Sequence, residues 1–230
     1  MKYMKTVFII LLAVFGAYSL LHLFFCFTEN EKLRKITKPF CLIILGIAAI
    51  FAASTHPLIY IGAFLGAIGD YFLINKTNIR WFLIGTGFFI LGHGCYYAQA
   101  LIYLHEICAI VVPYWVYIIV FVTLIVATFA LYPVTKSLAG KATLAGNFYM
   151  PFLLVLLATG IFFAIFLDQK GLSPLPGIFM AAGYLLFFVS DCTLIFTTYI
   201  KDIKRRDFPI MLTYLLGEFG IVFGLILAII

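Results

Sequence analysis

Charge is scarce in this chain. Only 10% of its 230 residues are Asp, Glu, Lys or Arg, against 65% that are apolar. No soluble domain of this size can cover so much hydrocarbon with so few polar side chains. A water-soluble fold is excluded, and the chain reads as an integral membrane protein. Metal-ligand spacing is missing as well. The four histidines (His22, His56, His93 and His105) offer no H-x-x-x-H pair, and the five cysteines (Cys26, Cys41, Cys95, Cys108 and Cys192) include no C-x-x-C. The cysteines read as small apolar residues of a helical core. No G-x-S-x-G elbow, glycine-rich phosphate loop or Cys/His pair is evident, so serine-hydrolase and phosphate-loop chemistry lack their motifs. Ser190, beside Asp191, has no base directed at it. The net charge of +6 would suggest nucleic acid only if the basic residues formed a patch, and they are scattered through short loops. No nucleic-acid partner is expected.

What the chain does have is length in apolar runs. Windows of about 20 residues, enough to cross the hydrocarbon core, fall at 6–27, 39–54, 57–75, 81–103, 107–132, 144–167, 174–199 and 208–230. The fold class is all-α: one polytopic membrane helical bundle, residues 1–230, of about eight transmembrane helices. Pro39, Pro57, Pro174 and Pro209 mark helix starts, and the polar runs 75–80 and 201–207 mark ends. Lys and Arg set the orientation. The loops after the odd-numbered segments hold Lys32, Arg34, Lys35, Lys38, Lys76, Arg80, Lys136, Lys141, Lys201, Lys204, Arg205 and Arg206, and the opposite side holds Lys2, Lys5 and Lys170. The positive-inside rule puts the richer side in the cytosol and both termini on the non-cytosolic side. The first segment is too long for the apolar core of a signal peptide and is kept in the mature protein. The compact chain is expected in a bacterial inner (plasma) membrane.

Two aspartates break the apolar runs. Asp70 lies in Leu65–Ile74 and Asp191 in Leu186–Ile195, and the two stretches share the pattern L-x-x-[IV]-[GS]-D-x-x-L-I at an offset of 121 residues. A weaker echo, Leu91-Gly92-His93 against Leu216-Gly217-Glu218, has an offset of 125. Together they suggest a parallel internal repeat of four plus four helices. An ionisable group inside a membrane segment is costly and usually marks a pathway or a site. From the helical rise, Asp70 lies roughly 8 Å and Asp191 roughly 12 Å from the cytosolic side, with His93 and Glu218 near the midplane. Lys38 stands at the cytosolic mouth of the second segment, Asn147 and Tyr149 enter with the sixth, and Tyr214 with the eighth. The outer half is nearly pure hydrocarbon. The expectation is a polar pocket near the cytosol, roofed by an apolar chamber. A zinc ion on Asp70, His93 and Asp191 is conceivable on a three-ligand pattern, but no metal or cofactor is expected. Paired membrane carboxylates and repeats also suit a proton-coupled transporter or lipid flippase.

The G-D of the third segment, the H-x-x-Y of the fourth (His93 and Tyr96), the S-D of the seventh (Ser190 and Asp191), Lys38-Pro39 and Leu212-Thr213-Tyr214 resemble the YhhN-type lysoplasmalogenase family over roughly residues 38–220. Glu218 stands where that family more often carries Gln. The resemblance implies an eight-helix enzyme that hydrolyses the vinyl-ether bond of lysoplasmalogens, a lysophospholipid class, to a fatty aldehyde and a glycerophospho-head group. Such a bond resists nucleophiles and yields to acid. It needs one carboxylic acid to protonate carbon and one carboxylate to orient water, a division of roles that low dielectric and a neighbouring carboxylate favour. Asp191 as acid and Asp70 as base is the expected assignment. Lys38 would meet the lipid phosphate, and His93, Tyr96, Asn147, Ser190, Tyr214 and Glu218 would bind substrate or support the pair. Membrane lipids are the other expected partners; the oligomeric state stays open.

Overall fold

The computed structural model describes residues 2–75, 78–111, 113–139 and 143–230. Lys76 and Lys141, which enter the orientation argument, lie outside them, as do the side chains of Lys2 and Lys5. The described residues form eight α-helices and no strand: α1 Lys2–Phe27, α2 Glu31–Ala52, α3 Pro57–Phe72, α4 Ile79–Glu106, α5 Tyr114–Ala139, α6 Thr143–Gln169, α7 Leu175–Tyr199 and α8 Asp207–Leu227, with a single 3-10 turn, Leu73–Asn75, closing α3. Five of them (α1, α2, α6, α7 and α8) are long and apolar enough to cross a bilayer, and α3 and part of α5 are shorter apolar helices. Large apolar side chains such as Ile9, Leu20, Phe24, Phe121, Phe129 and Phe162 face outwards. That surface is costly in water and fits lipid.

Local chemistry sets the helix ends. Asn30 caps α2 by accepting from the Leu33 amide at 3.2 Å, and Asn78 caps α4 by accepting from the Arg80 amide at 3.0 Å. Pro57 opens α3 at the position where its missing N–H costs nothing. One expected boundary is wrong in an instructive way. The second apolar window starts at Pro39, yet α2 begins eight residues earlier at Glu31 and carries Pro39 inside. The polar stretch 31–38 is helical because Asn30 nucleates it and its Glu and Lys residues favour helix. Lys38 is therefore an interior helical residue, not a loop residue at a mouth. The fifth segment is also displaced, its helix starting after Pro113 and running on through Pro133.

Helices adjacent in sequence pack against each other along most of the chain, and α8 is the hub. It touches α1, α2, α3, α4 and α7. Of its apolar span 67% is buried, against 28% for α1, α6 and α7. Small residues allow the closest crossings. A Cβ on Gly62 of α3 would lie 2.9 Å from the Gly92 carbonyl oxygen of α4, and one on Gly183 of α7 would lie 2.7 Å from the Gly217 carbonyl oxygen of α8. Only glycine permits backbones this near. One turn or two nearer the other end, a Cβ on Gly69 would lie 3.1 Å from the Gly85 carbonyl, while Ser190 donates to the Ile210 carbonyl at 3.0 Å.

Candidate functional site

The two glycine-led crossings bring the α3 and α7 aspartates to one cavity between α2, α4, α7 and α8. It is about 30 Å³ in volume and is lined by Asp70, Asp191, Arg34, Lys38, Ser190 and Tyr214 among others. That is room for a water molecule or two and not for a lipid chain. A second cavity of similar size lies beside it. Asp191, Phe89, Leu73 and Leu194 line both, and Thr86, Tyr149 and Met150 line the second alone.

The two carboxyls sit in unlike settings. Asp70 is fully buried, at 0% exposure. The Lys38 Nζ lies 3.0 Å from its Oδ1, an ion-pair contact without hydrogen-bond alignment, and the Tyr214 hydroxyl donates to its Oδ2 at 2.7 Å. The same ammonium stands 5.9 Å from the centre of the Tyr214 ring. An uncompensated charge at full burial would be prohibitive, and the cation and the donor from two neighbouring helices make the carboxylate tolerable. Asp191 keeps part of its surface open to the cavities. Tyr149 of α6 faces it without completing an aligned hydrogen bond, no cation lies within ion-pair distance among the described residues, and Phe89, Leu73 and Leu194 flank it in both cavities, with Lys38 and Asp70 across the first one.

One helical turn along α4 and α8, about 6 Å away, lies a second buried layer. The Tyr96 hydroxyl donates to Glu218 Oε2 at 3.2 Å, and His93 Nε2 stands 3.8 Å from Glu218 Oε1. The His93 ring meets Phe187 edge-on at 4.4 Å and is flanked by Tyr96, Tyr149, Tyr184 and Phe89. The apolar chamber expected above the aspartates is therefore a packed cluster of aromatic rings.

Of the nine residues picked from the sequence, Asp70, Asp191, Lys38, Ser190 and Tyr214 line one cavity, and His93, Tyr96 and Glu218 form the layer behind it. Asn147 does not join them. Its amide donates to the Thr128 carbonyl at 3.2 Å and it exchanges hydrogen bonds with the Thr135 hydroxyl, so it ties α6 to α5. Ser190 is spent on the Ile210 carbonyl, a bond that clamps α7 to α8. Among the described residues no three His, Cys, Asp or Glu side chains converge, so Asp70, His93 and Asp191 do not form a ligand set. The outer half is less plain than expected: Gln99 of α4 meets His56 at 3.2 Å beside Tyr103. The sequence reading also missed a buried Cys26–His22–Thr37 chain, at 3.5 Å and 2.7 Å. Its signal was the i, i+4 spacing of His22 and Cys26 on one helix face.

Comparison with known proteins places the chain. No curated protein and no solved structure matches it. One family model, described as the YhhN family, matches residues 33–225, from the first turn of α2 almost to the end of α8 and across every helix that lines the cavities. The chain belongs to the YhhN family.

Proposed function

We propose that this protein is a membrane hydrolase of the lysoplasmalogenase type, cleaving the vinyl-ether bond of 1-alkenyl-glycerophospholipids. The observation that carries the reading is the contrast between its two carboxyls at one water-sized cavity. Asp70, with Lys38 and Tyr214 on its two oxygens, is held as a carboxylate. Asp191, with no cation at ion-pair distance among the described residues and with Phe89, Leu73 and Leu194 beside it in both cavities, is the group suited to hold a proton. Asp191 then protonates the β-carbon of the vinyl ether, leaving an oxocarbenium ion. A water in the cavity adds to the cation as Asp70 takes its proton. Collapse of the hemiacetal passes the hydroxyl proton to Asp191 while Asp70 returns its proton to the departing glycerol oxygen, so both groups end as they began. The single alkenyl chain would part the seam between α4, α6 and α7 beside Asp191, since the cavities themselves hold only water.

The packing supports an internal repeat as the origin of this contrast. Adding 121 on α3 and 125 on α4 maps Gly62 and Gly92 onto Gly183 and Gly217, and Gly69 and Gly85 onto Ser190 and Ile210. Each of these pairs makes the corresponding crossing contact. The same offsets map Asp70 onto Asp191, His93 onto Glu218 and Phe89 onto Tyr214. Asp70 meets Tyr214 from the opposite half, so the symmetric partner of Asp191 is Phe89, which does line its cavities. From α2 and α6, Lys38 serves Asp70 and Tyr149 faces Asp191. A scaffold of matched halves thus holds two carboxyls alike and differs at the side chains that decide their charge.

A second reading, a proton relay, draws on the buried polar stripe His93, Tyr96, Gln99 and Tyr103 along α4. Aldehyde release from a lysoplasmalogen by purified protein, beside the saturated-ether analogue and with a chelator present, tests the hydrolase. Turnover of the vinyl ether alone, insensitive to chelator and lost by at least about a hundredfold in Asp70→Asn and Asp191→Asn, is expected. No aldehyde, together with proton flux in liposomes, would turn the assignment to the relay.

A further inference from the structure

Lys38, the residue first expected to meet the lipid phosphate, is committed to Asp70. We infer that Arg34 is the phosphate-recognising residue of this site, with Asp207 occupying it in the absence of lipid. This rests on the hydrolase reading for its substrate class. Arg34 lies one turn before Lys38 on α2 and lines the same cavity as both aspartates. Its side chain is largely buried, at 13% exposure, and it pairs through Nε with Asp207 Oδ2 at 3.4 Å. The guanidinium carries five N–H donors, more than this single contact through Nε takes up. A guanidinium fork matches a phosphodiester in two parallel hydrogen bonds, which an ammonium already bound to Asp70 cannot do.

Distance supports the assignment. Arg34 sits four residues, about 6 Å of helical rise, beyond the Lys38 level. The three carbons of glycerol, which separate the ether oxygen from the phosphate, reach about as far. A substrate with its vinyl ether at the aspartates thus lays its phosphate on Arg34. Asp207, the first residue of α8, is an internal anion at the same guanidinium, and an entering phosphate must displace it.

The test is a binding measurement, so it does not depend on turnover. Affinities of detergent-solubilised protein are compared for 1-alkyl-glycerophosphoethanolamine, a saturated-ether analogue, and for the neutral 1-alkylglycerol. Arg34→Ala and Arg34→Gln should weaken the phosphate-bearing ligand by on the order of tenfold to a hundredfold and leave the neutral one within about twofold. Asp207→Asn should bind the phosphate-bearing ligand several-fold more tightly, a gain that misfolding cannot imitate. An unchanged ratio of the two affinities in the Arg34 variants would overturn the subsite, and an Asp207→Asn protein that binds no better would overturn the competition. Failure of the hydrolase reading shows separately, as intact vinyl ether in the aldehyde assay.

Discussion

Removing Lys38 is the sharpest test of how Asp70 is held. In Lys38→Met the stem is replaced by a chain of similar length and the cation is lost, while Tyr214 still donates to Asp70 at 2.7 Å. The lost attraction acts across 3.0 Å, roughly 5 kcal/mol at an effective dielectric of 20. Deleting one member of a buried pair costs about 3–5 kcal/mol, because the other charge stays behind without compensation. The retained Tyr214 bond places the expected loss at the low end, about 3 kcal/mol. The second arm is Lys38→Met with Asp70→Asn. That double variant holds no charge to compensate, and its amide oxygen still accepts from Tyr214, so it should recover about 2 kcal/mol of the loss, a coupling typical of residues in direct contact. Equilibrium unfolding in detergent reads the three proteins, and aldehyde release should be lost in both variants. A Lys38→Met protein as stable as the parent, or a double variant no more stable than the single one, would refute the claim that this ion pair holds Asp70 ionised.

Three further outcomes follow from the same geometry. Gly183→Ala should destabilise by about 1–3 kcal/mol, because the added methyl would stand 2.6 Å from the Ile221 amide nitrogen and 2.7 Å from the Gly217 carbonyl, both backbone atoms that cannot swing aside; unfolding in detergent measures it. Asn147→Leu should cost about 1–3 kcal/mol through the abandoned Thr128 carbonyl and Thr135 hydroxyl, yet leave turnover per folded molecule unchanged, since the amide lies outside the aspartate cavities. Phe89→Tyr should lower aldehyde release by at least about tenfold with the fold retained, whereas Phe89→Leu should stay within a few-fold of the parent.

The sequence reading reached the eight helical segments and the two aspartates for one physical reason: in a chain so poor in charge, an ionisable group within an apolar run is conspicuous. It could not say which polar groups face one another. Asn147 and Tyr214 look alike in the sequence, each a polar residue on an apolar helix. The rotation of α6 against α5 and of α8 against α3 sends one to a helix clamp and the other to Asp70 across 144 positions of chain. The start of α2 was misplaced because a hydropathy window ends where charge begins, while a helix ends where its backbone hydrogen bonds do. Tyr184 was hidden among 14 tyrosines. Phe89 was hidden more deeply, since its contribution is the absence of a hydroxyl. Only the offset of 125, which sets it opposite Tyr214, makes that absence visible.

Phe89 also separates the two functional readings. A relay from the aspartates to the α4 stripe would have to span the gap to His93; Tyr149, which also faces Asp191, flanks the imidazole on one side, and the rings of Phe89 and Phe187 lie 6.5 Å and 4.4 Å from it. Neither phenyl ring can carry a proton. A hydroxyl added at Phe89 would supply a donor and acceptor at that gap, so a relay should conduct faster in Phe89→Tyr. In the hydrolase the same hydroxyl gives Asp191 the kind of partner that Tyr214 gives Asp70, and the acid loses its proton to the environment that favours a carboxylate. The two readings thus assign opposite signs to one oxygen atom. Aldehyde release and liposome proton flux, measured on the same Phe89→Tyr preparation, decide between them: a fall in the first with no rise in the second keeps the hydrolase, and a rise in flux ends it.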